Sequence, residues 1–494
     1  MGKRIAAVLL LTMLCFAALG AQAMTVTGFE TETVERIWAA NRFFARMEAL
    51  TGIAVEPVGI AQQEEYTALL DQMMKGDVQT DVLFKADLTR EQEKKLLDGG
   101  AIIDLSALID AHMPNLSALL AAHPEWREVI ALEDGRIASL PLINEKERQV
   151  VMWINRAWLD KLGMAMPENL DALTDVLLAM TQKDLNGNGK QDEIGAELIG
   201  VYEMRWLLPY FGIVADDYNL ARGENGEIVF APEMPAYREF VALLKNWHDC
   251  GVLAEDAFTR VHATAIMASA DKEVPVTSGL LLSVTPYTHL DAKAVMDYEP
   301  LLLAGPDGTT RWRDLLGAVW PGCFAVTSRC SEPEKALKWV DALYAEAGAL
   351  LGYAGVEGED YTVGENGLWT FSISGNRDIN ALRSEVLMYT GVAMPGMYPA
   401  DFIHRVDSEL DRHVFAASEK VRAVSERVTQ PYCLNAADQA RADELAMTIT
   451  RLVDEGIARF ATGEIELTDE NYAAWLNELR AAGSDELAAL FAKE

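Results

Sequence analysis

Short apolar segments alternate with segments of helical periodicity in the N-terminal part of the chain. Residues 24–29, 53–58 and 80–84 are β-like runs. Between them, apolar residues recur every three or four positions, which indicates amphipathic helices that end at Gly52 and Gly76. Unrelated helices with apolar linkers are the less favoured alternative, because the predicted strands are short, bounded and regularly spaced. The β-α-β-α-β order therefore predicts an α/β fold with a parallel sheet covered by helices.

A second strand–helix series begins near residue 149. Residues 150–154 are apolar and predict a crossover strand, and a helix opens at 155–161. The C-terminal part is predicted to be helical, because apolar residues between 445 and 460 form one helical face. Further strands are predicted at 279–283, 298–303 and 320–327.

The start of the chain has the pattern of a secretory signal peptide. A basic beginning precedes an apolar run from Ile5 to Leu19, and small residues follow at 21–23. The run is too short to be a good membrane anchor. Cys15 lacks the small preceding residue of bacterial lipid-anchored proteins. We therefore predict cleavage after Ala23 and a secreted, extracytoplasmic protein at the cell surface or in the periplasm.

Composition and charge narrow the choice of partners. The 494 residues are 50% hydrophobic and 24% charged, which is typical of a globular chain with two or three domains. The formal net charge is -34. Binding to phosphates or to an anionic membrane surface needs clustered cations, so no nucleic-acid partner is expected.

Cysteine spacing gives no sign of zinc or thioredoxin-type chemistry. No C-x-x-C pair occurs among the four cysteines that follow the predicted signal peptide. A bridge between Cys250 and Cys433 is possible in an exported protein, and buried free thiols are equally compatible with the sequence.

Residues 184–193 carry the sharpest local motif. Oxygen-bearing side chains alternate with two glycines that allow a tight loop, and hard oxygen ligands at this spacing suit calcium. Position 12 of the loop is Gly195 rather than the glutamate of an EF-hand, so Glu193 must close the site. A plain Asn-Gly surface turn is the alternative. We favour a structural calcium ion, with the ligands Asp184, Asn186, Asn188, the Lys190 carbonyl, Asp192 and Glu193.

Aromatic residues near predicted strand ends or loops are the second signal. Flat aromatic faces are common platforms for sugar rings, although core packing is the more frequent role of any one of them. Enzyme motifs are missing: H-E-x-x-H, G-x-S-x-G, S-x-x-K and a phosphate-binding glycine loop do not occur. A glycosidase pair of carboxylates stays open among 76 acids.

Several segments, taken in order, resemble the extracellular solute-binding proteins of ABC importers, family 1. The similarity is strongest to the branch of alginate-oligosaccharide-binding proteins, and it runs through essentially the whole chain after the signal peptide. The segments that carry it are 134–141, 153–163, the loop 184–193, 203–212 and 354–362.

The resemblance implies a periplasmic-binding-protein-like fold of type II, with two doubly wound α/β lobes, a hinge and a solute held between the lobes. It also implies calcium at the 184–193 loop. A basic residue is common in the family where this chain has Asn155, which favours a neutral solute. The implied division is a signal peptide at 1–23, lobe 1 at 24–148 plus about 310–362, and lobe 2 at 149–309 plus about 363–494.

We therefore predict a monomeric, non-enzymatic protein that captures a neutral oligosaccharide-like solute and delivers it to an ABC importer permease. A secreted carbohydrate-active enzyme with paired carboxylates is the alternative, and a calcium-stabilised adhesion or scaffold protein is a third. Formation of products from glycans would identify the enzyme. The predicted solute contacts are Trp153, Asn155, Trp206, Tyr287, Trp320 and Tyr398.

Overall fold

The computed structural model describes most of the chain after the predicted signal peptide. Residues 1–22, Tyr287 and Cys433 lie outside the described part, so the signal peptide, the contact of Tyr287 and a Cys250–Cys433 bridge are not described. The described residues are 23–30, 38–146, 148–259, 278–286, 292–314, 317–374, 378–389, 392–429 and 434–492.

Two larger sheets and three small ladders are built from short strands. The strands are β1 Met24–Phe29, β2 Val55–Ile60, β3 Val82–Phe84, β4 Leu140–Ile143, β5 Val151–Asn155, β6 Ile194–Glu197, β7 Leu220–Arg222, β8 Ile228–Phe230, β9 Ser278–Ser283, β10 Tyr298–Pro300, β11 Trp312–Arg313, β12 Val319–Val326, β13 Tyr361–Val363, β14 Trp369–Phe371, β15 Gly396–Met397 and β16 Ser425–Glu426.

Helices connect and cover these strands. They are α1 Arg42–Thr51, α2 Gln63–Met74, α3 Arg90–Asp98, α4 Ser106–His112, α5 Pro114–Ala122, α6 Pro124–Ile130, α7 Arg156–Leu162, α8 Leu170–Thr181, α9 Gly200–Met204, α10 Pro235–Asp249, α11 Ala292–Val295, α12 Pro333–Asp341, α13 Glu346–Tyr353, α14 Ile379–Glu385, α15 Ala400–Ile403, α16 Glu409–Arg422, α17 Ala436–Ala461, α18 Asp469–Ala481 and α19 Ser484–Phe491, with short 3-10 turns that include Arg205–Phe211.

The first lobe is organised around a six-stranded sheet with the order β15-β4-β12-β3-β1-β2. β1 is parallel to β2 and β3, and β15 is parallel to β4. β12 is antiparallel to both β3 and β4, so it is the strand that departs from the predicted parallel sheet. Both faces of the sheet are covered by apolar clusters, which explains why its central strands β3, β4 and β12 are mostly apolar.

The second lobe has a four-stranded sheet with the order β10-β5-β9-β6. β5 is antiparallel to β9 and β10, and β6 is parallel to β9. A single apolar core joins this sheet to the C-terminal helices, among which α17 packs on α10. The predicted helical C-terminal segment therefore completes the second lobe.

The chain passes between the sheets more than once. Residues 144–150 lead from β4 to β5, and the ladder between β11 and β16 joins two later connecting segments. β15 pairs with β4, so the first lobe continues to at least Met397. The predicted return to lobe 2 near residue 363 is therefore placed too early. The described residues include no helix that is both long and apolar enough to cross a membrane.

Candidate functional site

The carboxyl ends of several strands meet at one edge of the first sheet. β1, β3 and β4 point the same way, and they are followed by Glu30, Lys85 and Asn144. In open α/β sheets, ligands bind outside the carboxyl ends of the strands. Because residues 144–150 leave from this edge, it faces the second lobe.

The second sheet presents its own carboxyl edge to the same connecting segment. Glu197 of β6 is level with Leu281 of β9, and Ser283 is level with Val151 at the entrance of β5. This register places the start of α9 at the edge where the chain enters the lobe. The two edges therefore flank residues 144–150, and the space between them is the candidate solute cleft.

The loop after β3 is conformationally unusual. Lys85 and Asp87 have φ angles of 54° and 49°, in the left-handed region that favours glycine. Residues held in such conformations cluster at ligand-binding sites. The Lys85 ammonium is fully buried, 2.6 Å from a Glu30 carboxylate oxygen and 3.1 Å from the Met388 carbonyl. This loop is thus fixed by a buried ion pair at the cleft edge.

The other cations that follow strand ends are also engaged. Arg205 is buried and donates to the Asn219 side-chain oxygen, with the Asp454 carboxylate 3.8 Å away. Arg156 pairs with Asp160 at 2.9 Å. Because these guanidinium groups already have partners, they do not supply a ready site for a carboxylate on the solute.

Three of the predicted solute contacts are buried in this conformation. Trp153 has no exposed surface, and its indole N–H donates to the Ser283 carbonyl at 2.9 Å. Asn155 caps α7 by accepting the Trp158 amide at 3.1 Å. Trp206 is 2% exposed and packs on the ring of Trp312. These contacts are those of core side chains, and no face is left for stacking on a solute.

Trp320 and Tyr398 lie on either side of strand β4 in the first sheet. Trp320 pairs with Leu142 of β4, whose other neighbour is Gly396 of β15. Both aromatic residues are partly exposed, and the Tyr398 amide donates to the Ile143 carbonyl at 2.7 Å. They are therefore the predicted aromatic contacts that the described structure leaves accessible beside the cleft.

One accessible aromatic residue was missed in the sequence. Tyr202 lies on α9 and is 43% exposed, at the carboxyl end of β6. It directly precedes the 203–212 segment. Its helical neighbours include apolar residues and the buried residues Glu203 and Arg205, so periodicity alone does not separate it from core residues. Its position just after strand β6 is the feature that could have marked it as a candidate solute contact.

A buried carboxyl group lies beside Tyr202. A Glu203 oxygen accepts the Ile199 amide at 2.7 Å, and the side chain is 6% exposed. Burial raises the pKa of Glu203 to about 8, and the nearby Glu197 carboxylate adds to the rise, while the amide hydrogen bond opposes it. Glu203 is therefore largely protonated at neutral pH.

The 184–193 loop is folded around its acidic side chains. The two Asp184 carboxylate oxygens accept the amides of Gly187 at 2.7 Å and Gly189 at 2.9 Å. Both glycines have positive φ angles, which allows the chain to wrap tightly. The Asn186 and Asn188 side-chain amides both donate to Asp192.

Glu193 closes this loop from inside the protein. One of its oxygens accepts the amides of Leu185 at 2.6 Å and Asn186 at 3.0 Å. The other oxygen is buried and has no hydrogen-bond partner among the described residues. A buried carboxylate oxygen needs a partner, and the Glu193 oxygen is therefore available to coordinate a cation.

Acidic groups alone do not complete a metal site. In the described part of the chain, no three carboxylate, imidazole or thiol side chains converge on one point. A calcium ion in the 184–193 loop would therefore also need the amide oxygens of Asn186 and Asn188 and the Lys190 carbonyl. Oxygen donors of this mixed kind fit calcium, which accepts six to eight of them.

Sequence comparison finds partial relatives. No family model matches the chain. The fructooligosaccharide ABC transporter substrate-binding protein FusA of Streptococcus pneumoniae is 31% identical over 273 residues, which is 53% of this chain and 50% of that protein. The chain thus spans about half the length of the curated relatives that it matches.

Solved structures match nearly the whole chain. A solute-binding protein of Bifidobacterium longum infantis, described as HMO-binding and associated with an ABC transporter, has a TM-score of 0.76 at 19% identity, covering 96% of this chain and 98% of that one. The chain has the fold of a solute-binding protein. An EF-hand mutant of FusA with fructo-nystose matches this solute-binding-protein fold with a TM-score of 0.69 at 21% identity, over 96% and 98% of the two chains. The predicted two-lobed fold is confirmed.

Proposed function

We propose that this protein is an extracytoplasmic solute-binding protein that captures an oligosaccharide between its lobes and delivers it to an ABC importer permease. The observation that carries the proposal is the pair of facing carboxyl edges joined by residues 144–150, in a solute-binding-protein fold. FusA, the partial relative, is described as a substrate-binding protein, which favours binding over the alternative of a secreted carbohydrate-active enzyme.

The solute is proposed to be neutral. Lys85, Arg156 and Arg205 are cations that follow strand ends, and each is paired with a carboxylate or an amide of the protein. An unpaired cation would be needed to offset the desolvation of a uronate. The fructo-nystose bound to the FusA mutant is uncharged, in agreement with this choice.

Binding is proposed to close the lobes around the solute. A ligand favours the arrangement in which it contacts both cleft edges, so it shifts the population toward a closed state. The repeated connections between the lobes allow a hinge rotation with little change inside each sheet.

A structural calcium ion is proposed in the 184–193 loop. The partnerless oxygen of Glu193 supports it, and so does the presence of an EF-hand in FusA, as the description of its mutant indicates. When bound, the ion would neutralise three carboxylates and hold the loop on α8 and β6. It takes no part in capturing the solute.

Calorimetry with a panel of kestose, lacto-N-tetraose and an alginate trisaccharide tests the proposed function. Saturable binding of a neutral sugar is expected, and chromatography of the mixture should recover the sugar intact. Release of shorter sugars would support the enzyme instead. Binding of no sugar on the panel would contradict the proposal.

A further inference from the structure

We propose that Tyr202 and Asp217 form a neutral-sugar subsite on the second lobe, in which the tyrosine ring stacks on one sugar unit and the carboxylate accepts its hydroxyl groups. The inference rests on the proposed function. Neither residue is among the solute contacts predicted from the sequence. In this proposal, Asp217 also discriminates against acidic sugars.

The Tyr202 ring lies near a fixed cation and is partly exposed to solvent. The guanidinium carbon of Arg205 lies 5.8 Å from the ring centroid, and Arg205 is itself fixed by Asn219. Yet Tyr202 is 43% exposed, at the edge where the chain enters the second lobe. An aromatic ring oriented by a fixed cation loses little side-chain entropy when a sugar packs on the exposed part of the ring.

Asp217 belongs to a tight turn beside this ring. The preceding residue, Asp216, is partly buried and accepts the amides of Tyr218 at 3.0 Å and Leu220 at 2.9 Å. These bonds fix the backbone of the turn, while the Asp217 side chain stays 55% exposed. The carboxylate is therefore presented to solvent from a rigid support.

Arg313 ties Asp217 to the aromatic cluster. Its guanidinium lies 2.7 Å from an Asp217 oxygen and is 11% exposed, and its Cζ atom is 5.0 Å from the Trp206 ring centroid. Trp206 follows Tyr202 by four residues along the contiguous helical turns at 200–211, so Arg313 and Asp217 lie beside the segment that carries Tyr202. Arg313 lies on β11, next to the connection between the lobes.

An aromatic face beside a carboxylate matches the chemistry of a neutral sugar. The ring covers the apolar C–H face of the sugar, and the carboxylate accepts hydrogen bonds from hydroxyl groups at its rim. Arg313 already neutralises one side of Asp217, so the remaining oxygen is an acceptor and not a site for a cation. A uronate placed here would bring two carboxylates together, which costs affinity.

Calorimetry on matched variants tests the subsite, with kestose, lacto-N-tetraose and an alginate trisaccharide as probes. The neutral sugar that binds the wild-type protein should bind Tyr202→Ala about tenfold more weakly, and Tyr202→Phe should keep most of the affinity because the ring remains. Asp217→Asn should weaken neutral-sugar binding by about tenfold or more, since hydrogen bonds to a charged acceptor are lost, and should narrow the preference over the acidic trisaccharide.

The controls separate this inference from the proposed function. Met447→Ala removes an exposed apolar side chain on α17, and Asp469→Asn removes an exposed carboxylate that pairs with Arg238. Both should bind like the wild type. If the wild type binds no probe, the proposed function fails and the subsite with it. If the wild type binds and Tyr202→Ala or Asp217→Asn binds as tightly as its control, the subsite alone is overturned.

Discussion

Replacing Glu193 by glutamine should remove most of the stabilisation that calcium gives the folded protein. The oxygen that accepts the Leu185 and Asn186 amides can be kept in the glutamine, because one side-chain oxygen receives both bonds. The substitution instead changes the buried oxygen that has no partner among the described residues. It therefore removes the charge that a cation would need, with little change of shape.

The change in folding stability has two opposing contributions: the cost of the partnerless oxygen and the gain from calcium binding. Without calcium, the partnerless carboxylate oxygen costs the folded wild-type protein about 1–3 kcal/mol, and a neutral amide in its place costs less. With calcium at a hundredfold excess over its Kd, binding to the folded state adds about 2.7 kcal/mol to the wild type. The variant should lose most of this gain.

Thermal unfolding in a chelator and in millimolar calcium measures both terms. We expect Glu193→Gln to melt at or above the wild-type temperature in the chelator and below it in calcium. Glu224→Gln, an exposed acid in the turn between β7 and β8, is the matched control and should follow the wild type in both buffers.

Two results would refute this reasoning. If calcium does not raise the melting temperature of a chelator-stripped wild-type protein, the 184–193 loop is a plain surface turn. If the variant gains as much from calcium as the wild type does, the ion binds without Glu193.

Three further changes test the cleft edges. Because the pKa of Glu203 is raised to about 8 from 4.5, the folded state holds an extra proton between these values, so wild-type stability should fall as pH rises through that window. Glu203→Gln should flatten the fall in melting temperature, and an unchanged pH profile would contradict the assignment. Lys85→Met removes the ammonium beside Glu30 and should cost about 3–5 kcal/mol in denaturant unfolding, partly recovered in the double variant with Glu30→Leu; no recovery would show that the two charges are not coupled. Trp206→Ala should lower stability by about 3–5 kcal/mol, as expected for a core residue, and a stable variant with weakened sugar binding would show that the ring contacts the solute after all.

Much of the fold could be predicted because its signal is local. The β-α-β order up to Phe84 and the strand at 278–283 follow from apolar runs bounded by glycines and helical periodicity. The acidic loop at 184–193 is recognisable because its oxygen donors are close in sequence. Each of these features depends on neighbours within a few positions.

The remaining features depend on pairing between distant segments. β15 has two residues and joins β4 more than two hundred positions earlier, so no local pattern marks it as part of the first sheet. The direction of β12 is set by how the chain returns from the second lobe. The pairing of β15 with β4 moves the boundary of the first lobe beyond the predicted residue 362.

The solute contacts were the hardest to predict, because burial of an aromatic residue depends on the whole lobe. Trp153 and Tyr202 both lie near a strand end, yet the first has no exposed surface and the second is 43% exposed. Trp153 is on a central strand covered on both faces, whereas Tyr202 is on a short helix at the sheet edge. Sequence periodicity carries no information on that difference.

Small-angle scattering with and without a neutral oligosaccharide tests the central claim most directly. The claim is that a solute is held between two lobes that rotate about their connections. The radius of gyration should decrease when the sugar that binds in calorimetry is added to saturation, and an alginate trisaccharide that does not bind should leave it unchanged. An unchanged radius of gyration at saturating neutral sugar would contradict capture by closure of the lobes.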